Sequence, residues 1–468
     1  MKRIFFPLLV WLFLVLPSSA TLWLPSVFSD NMVLQQRSEA MIWGWTTATS
    51  AKVKVVASWD HKTVETQAYQ GRWAVKLPTP AAGGPYTVTV RAAGDSVVIH
   101  NVMVGEVWIC SGQSNMEMTP EWGLVNKEKE IKNANYPEMR FFFIPKHRSD
   151  TPQDDTPGYW TECTPQTMRR FSSAGYFFGR ELLQNLRVPV GLIYSNLGGT
   201  PVEVWIKREL IEDDPELKEA ATKIKPRPWW PEKPGDAWNA MIHPLIPYNI
   251  AGVIWYQGES NTQNPNSYYR SFPLLINSWR EEWGYTFPFY YVQIAPFDYK
   301  GRDSLAAAIV RDAQLHTLQT VPQTGMAVTM DIGNVKDIHP KNKQDVGKRL
   351  ALWALAKTYG VKDIVYSGPL YKSMEVKGKK IVIFFDHADG GLVARGGELK
   401  DFFIAGKDKV FVPAKAKISG NTVVVWSSKV KEPVAVRYAF WDAAQPNLFN
   451  KAGLPASPFR TDEEERQK

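Results

Sequence analysis

In Val107-Trp108-Ile109-Cys110-Ser111-Gly112-Gln113-Ser114-Asn115-Met116-Glu117-Met118, a short apolar run gives way to a glycine and then to residues able to start a helix. The run from Val107 to Cys110 reads as a buried strand. A strand that breaks into a Gly turn and then a helix lifts one side chain above the carboxyl edge of a sheet, where open α/β sheets bind ligands. That side chain is Ser114. By itself such a serine is most often a helix cap, so its meaning depends on what the rest of the chain brings beside it.

Outward from this stretch, residues 105–360 alternate strand and helix. Val190–Ser195, Ala251–Gln257, Phe289–Ile294 and Gly325–Met330 read as further strands; Ala174–Leu183, Ala306–Leu318 and Asn342–Tyr359 read as helices. This rhythm predicts an α/β unit with a mostly parallel sheet covered on both faces. Residues 21–104 carry short β-branched and aromatic runs, among them Met41–Trp45, Lys52–Val56, Trp73–Leu77 and Tyr86–Val90, which predict a small amino-terminal β-sandwich. Gly94-Asp95-Ser96 spells a nucleophile motif but lies between two alternating strands, so it reads as a hairpin turn. Residues 361–460 return to strands (Lys380–Phe385, Lys409–Val412, Asn421–Trp426, Val434–Phe440), a second β region that either stands alone or packs on the first. Residues 461–468 form a charged tail. Pro226–Pro231 reads as a loop over the sheet edge.

Lys2-Arg3 precede an apolar run from Ile4 to Leu16, followed by Pro17-Ser18-Ser19-Ala20. This predicts a secretory signal peptide over residues 1–20, too short to span a bilayer, and hence an exported periplasmic or extracellular protein without a membrane span. The formal charge of +8 falls slightly with loss of Lys2 and Arg3, and no Lys/Arg block stands out. Nucleic acid is therefore not an expected partner, whereas a small-molecule or glycan substrate is. Cys110 and Cys163 are the only cysteines. Export permits a disulfide, but Cys110 ends a core strand, so two buried thiols are equally compatible.

Three core strands end in polar or glycine clusters: Gly112-Gln113-Ser114-Asn115, Gly198-Gly199-Thr200 and Gly258-Glu259-Ser260-Asn261. A fourth cluster, Asp331 to Pro340, follows the fifth strand and holds His339. In a parallel sheet these ends share one edge. Acyl transfer needs a nucleophile, a base in reach and donors for the developing oxyanion. Ser114 supplies the nucleophile and His339 the base; the amides of Ser114 and Gly199, with the Gln257 or Asn261 side chain, supply the donors. No metal-ligand spacing is present, and this chemistry needs no metal or cofactor. Gly-x-Ser-x-Gly is absent.

Gly112–Met116, Gly198–Glu203, Trp255–Asn261 and Asp337–Pro340 resemble the signature blocks of sialate O-acetylesterases, a group of SGNH-type hydrolases. Ser29–Gln35 and Gly83–Tyr86 resemble that group's amino-terminal β domain. The resemblance covers nearly all of the chain after residue 20. It implies a flavodoxin-like SGNH-hydrolase core, a Ser–His esterase without metal, and acetyl groups on sugar hydroxyls as substrate. Sialic acid is the leading sugar; acetylated plant polysaccharide such as xylan and a non-catalytic carbohydrate-binding role are the alternatives. The pattern departs from a familiar SGNH spacing at Lys336, where an orienting Asp is often found three residues before the His. Asp337 either orients His339 as the third member of a triad, or neutralises a nearby cation or caps the turn, leaving a Ser114–His339 dyad whose imidazole a backbone carbonyl holds. Gln113, Glu259 and Arg311 are candidate substrate contacts, Arg311 for a sugar carboxylate. Glu203 and Glu259 are expected to brace turns rather than to form a glycosidase pair. Of 19 Trp, Trp122, Trp205, Trp229, Trp230 and Trp238 lie in or beside the loops at the proposed edge, either stacking on sugar or packing internally.

Overall fold

The structure, a computed structural model, describes residues 21–225, 233–299 and 305–462. The proposed leader, the Pro226–Pro231 loop with Trp229 and Trp230, and most of the charged tail lie outside them. Six strands build the core: β1 (Asp95–Gly112), β2 (Tyr136–Phe143), β3 (Val190–Asn196), β4 (Gly252–Tyr256), β5 (Phe289–Gln293) and β6 (Thr324–Val328). They pair in parallel in the order β2-β3-β1-β4-β5-β6. Tyr159–Cys163 adds an antiparallel strand outside β2.

Alternation along β1 sorts its side chains to the two faces of the sheet. Val107 and Ile109 join one buried cluster, Trp108 and Cys110 the other. Helices α2 (Ser173–Leu186) and α5 (Lys343–Trp353) cover the Trp108 side through Phe177, Phe178, Leu182, Val346 and Leu350. Helices α3 (Tyr268–Trp283) and α4 (Ala306–Thr320) cover the other side through Phe272, Leu275, Ile276, Trp279 and Val310. Both faces are therefore dry, which is why the strands read as continuous apolar runs.

β1 is a single strand that crosses from the amino-terminal β region into the core without a linker. Its first half pairs antiparallel with Gly83–Ala92, and its second half pairs with β3 and β4. Ala93 and Gly94, both at positive φ, close the hairpin ahead of Asp95. The Gly94-Asp95-Ser96 decoy is thus a turn and a strand start. The carboxy-terminal strands pack on α4: Asp442 accepts the Ala307 N–H at 2.7 Å, and Arg460 pairs with Asp312 at 3.1 Å with both side chains buried. Cys110 and Cys163 are free and buried; burial pushes both thiols up, Cys163 to about 12.

Candidate active site

Register brings the first three loops to one height. Gly112 pairs with Asn196 of β3 and Tyr256 of β4, so all three loops leave the sheet at the same level. At Gly112 the backbone turns with φ +133°, and a Cβ there would sit 2.2 Å from the Tyr256 carbonyl oxygen. Only glycine fits. Gln113 follows in extended conformation and donates its N–H to that carbonyl at 2.9 Å. Its side-chain Oε1 accepts the N–H groups of Gly258 (3.3 Å) and Ser260 (3.2 Å). Two backbone donors fix which end of the amide is oxygen, and the first and third loops are thereby tied together.

Ser114 opens the one-turn helix α1 (Ser114–Glu117). A first-turn N–H has no partner within its own helix, and neither this amide nor the Ser114 hydroxyl has a hydrogen-bond partner among the described residues. In the second loop Gly198 donates to Glu117 Oε2 at 2.7 Å and approaches so closely that a Cβ on it would lie 3.2 Å from Ser114 Cβ. Gly199 turns at φ +74°, and its N–H is likewise without a partner among the described residues. Glu117, which sequence reading overlooked, sits one turn beyond Ser114 and binds both Gly198 and Lys146. Its only sequence signal is the i, i+3 spacing from Ser114.

A cavity of about 1130 Å³ opens at this edge, and Ser114, Gly199, Gln113, Glu259 and His339 all line it. His339 comes from the segment after β6 and packs nearly perpendicular to the Trp122 ring, centroids 5.4 Å apart. Asp337 Oδ1 accepts the backbone N–H of His339 at 3.0 Å and stands 4.0 Å from Nδ1, beyond hydrogen-bond reach. Burial and the nearby Lys343 hold the imidazole below its ordinary pKa, while Asp337 and Glu117 pull the other way. Burial and Lys343 both favour the neutral imidazole, the form able to accept a proton.

Other sequence candidates fall elsewhere. Gln257 and Asn261 are fully buried behind the loops. Gln257 Nε2 donates to Thr200 O (3.2 Å) and Asn261 Oδ1 (2.7 Å), while Asn261 Nδ2 serves Glu203 and Asn264. Their donors are taken by the protein itself, so neither is placed to meet an oxyanion. Glu203 accepts from Asn261 and Asn264 and braces that turn. Arg311 is fully buried and donates to Trp441 O at 2.6 Å, facing the carboxy-terminal segment instead of the cavity. Its spacing with Gln314 gave the shared face of α4 but not the neighbour that face meets. Gln314 in turn bonds Gln257 O, Val292 O and Ile294 N, lacing β4 to β5. Trp205 and Trp238 are core residues, whereas Trp122 lines the cavity. Among the described residues no group of three His, Cys, Asp or Glu is placed to hold a metal, and no helix is long and apolar enough to cross a membrane.

Residues 104–356 match the family model of carbohydrate esterases described as sialic acid-specific acetylesterases. The chain belongs to this family. It is 32% identical to the sialate O-acetylesterase of Rattus norvegicus over 93% of each chain, and 33% identical to that of Homo sapiens over 76% of this chain and 74% of the relative. A crystal structure of a carbohydrate acetylesterase from Xanthomonas citri superposes with a TM-score of 0.86 at 38% identity, covering 94% of this chain and all of the other. The chain is accordingly a carboxylic-ester hydrolase, a carbohydrate acetylesterase with a mixed α/β core and β-rich flanks.

Proposed function

We propose that this esterase is exported and removes O-acetyl groups from sialic acid through an acetyl-serine intermediate on Ser114. The carrying observation is that Ser114, His339 and the unpartnered amide of Gly199 meet in one cavity. The imidazole of His339 takes the Ser114 proton as Oγ attacks the acetyl carbonyl. The Ser114 and Gly199 amides receive the oxyanion, the imidazolium protonates the departing sugar oxygen, and water then cleaves the acetyl-serine by the same route. The core is read as flavodoxin-like: with β2 and the antiparallel strand outside it set aside, the strand order runs 2-1-3-4-5. Export rests on the leader-like residues 1–20. The sialic acid reading draws on the relatives' names and on Lys336, an exposed cavity residue with no ion pair among the described residues; it replaces Arg311 as the cation for a sugar carboxylate.

Hydrolysis of a small aryl acetate by the wild type and by Ser114→Ala tests the mechanism. Turnover should disappear in the variant while the fold persists; retained turnover would refute Ser114. Lys336→Gln should raise KM for O-acetyl sialic acid about two- to fivefold, the scale of one exposed charge pair, and leave the aryl acetate unchanged. Faster release of acetate from acetylated xylan than from O-acetyl sialic acid would overturn the substrate.

A further inference from the structure

The loop that carries His339 is held without a carboxylate on the imidazole, and the groups that hold it come from both sides of the cavity. Lys343, the first residue of α5, is fully buried. Its Nζ donates to Pro340 O at 2.7 Å and to Asn115 Oδ1 at 2.8 Å, and stands 5.3 Å from the centre of the Tyr256 ring. Asn115 Nδ2 in turn donates to Ile338 O at 2.9 Å and to Glu259 Oε1. The carbonyl before His339 and the carbonyl after it are thus both gripped, one by Asn115 and one by Lys343, and the two gripping side chains are bonded to each other. Asn115 is the neighbour of Ser114. This two-residue clamp therefore fixes the base-bearing turn against the nucleophile-bearing turn.

Resting on the reading of Ser114 and His339 as nucleophile and base, we propose that Lys343, acting through Asn115, is the positioning residue that registers His339 against Ser114. The same side chain also bears on the charge of His339. Burial pulls the Lys343 ammonium down to about 7, against the opposing pull of Glu259 and Asp337. In its charged form it disfavours a second positive charge on His339, whose surroundings otherwise include Asp337 and Glu117. A carboxylate triad would stabilise the imidazolium; this clamp instead depresses its formation in the free enzyme.

Lys343→Met and Lys343→Gln test this, read as pH profiles of kcat and kcat/KM on an aryl acetate. For Lys343→Met the expected result is a loss of more than tenfold in kcat, a KM within threefold, and an acid limb of kcat/KM moved to higher pH because the depressing charge is gone. Lys343→Gln keeps a donor for one carbonyl without the charge, so it should recover much of kcat but keep the moved limb. Wild-type kcat in Lys343→Met, or equal losses in both variants with an unmoved limb, overturns the proposal. If neither variant folds, Asn115→Ala, which cuts the clamp and leaves the Lys343 charge in place, decides: a loss of more than tenfold in kcat with an unmoved acid limb supports the proposal, and wild-type kcat refutes it. A wild type that hydrolyses no ester, or an active Ser114→Ala, would instead refute the underlying mechanism.

Discussion

Asp337 is the residue on which two mechanisms diverge. Its carboxylate caps the turn through the His339 N–H at 3.0 Å and lies 4.0 Å from Nδ1. An amide oxygen accepts that same backbone bond, so Asp337→Asn should cost less than tenfold in turnover at neutral pH. His339→Ala should abolish nearly all of it. A true orienting aspartate loses about 10⁴-fold when made Asn, and a loss of that size would restore the triad. Side-by-side turnover of the two variants settles the point. Sequence placed Ser114, Gly199, Glu259 and His339 at one sheet edge, and the structure brings them to one cavity, because glycine- or proline-marked loops after buried strands leave little freedom. It did not carry which amide points outward. Gln113 and Gln257 both end strands, yet the first reaches the cavity edge and the second turns inward to Thr200 and Asn261. That choice depends on partners supplied by other segments, backbone N–H groups for Gln113 and the Thr200 carbonyl with the Asn261 side chain for Gln257, which no local pattern encodes.

The turn between β1 and α1 is where a single methyl group decides the fold of an element. Gly112→Ala would combine φ +133° with a 2.2 Å clash against the Tyr256 carbonyl, and two backbones already paired in a sheet cannot move apart cheaply. A loss of more than about 3 kcal/mol is expected, read as a large drop in the denaturant midpoint or as insoluble protein. Gly94→Ala makes the control. It also sits at positive φ (+86°), but nothing lies within 4 Å of the added Cβ, so about 1–2 kcal/mol is expected. Similar losses in both would mean that conformation, not close approach, sets the cost. The second half of β1 and strands β3, β4, β5 and β6 were legible because both their faces are buried. β2 was not: Tyr136-Pro137-Glu138 opens it like a turn, and only its last half, Met139–Phe142, is buried. α3 hid behind Pro273, although Phe272, Leu275, Ile276, Trp279 and Trp283 keep helical spacing along its buried face.

The carboxy-terminal β region looks separable in sequence but is bonded into the catalytic core. Arg460, on the last strand, pairs with Asp312 of α4, and both are almost fully buried. Asp442 holds the first turn of α4 through the Ala307 N–H, Trp441 O receives the buried Arg311 guanidinium, and Ser457 accepts from Gln293 at the end of β5. The segment therefore buttresses the helix whose Gln314 laces the ends of β4 and β5 together. Arg460→Met should remove the buried guanidinium that pairs with the Asp312 carboxylate and cost about 3–5 kcal/mol, seen as a lower midpoint in chemical denaturation. Asp312→Asn combined with Arg460→Met removes both charges and should recover a large part of that loss. If the double variant is as unstable as the single one, shape and not charge holds the junction. If Arg460→Met melts in two steps, with esterase activity surviving the first, the carboxy-terminal region folds apart from the core; one cooperative transition, with activity lost along it, is the expected result because the same helix serves both.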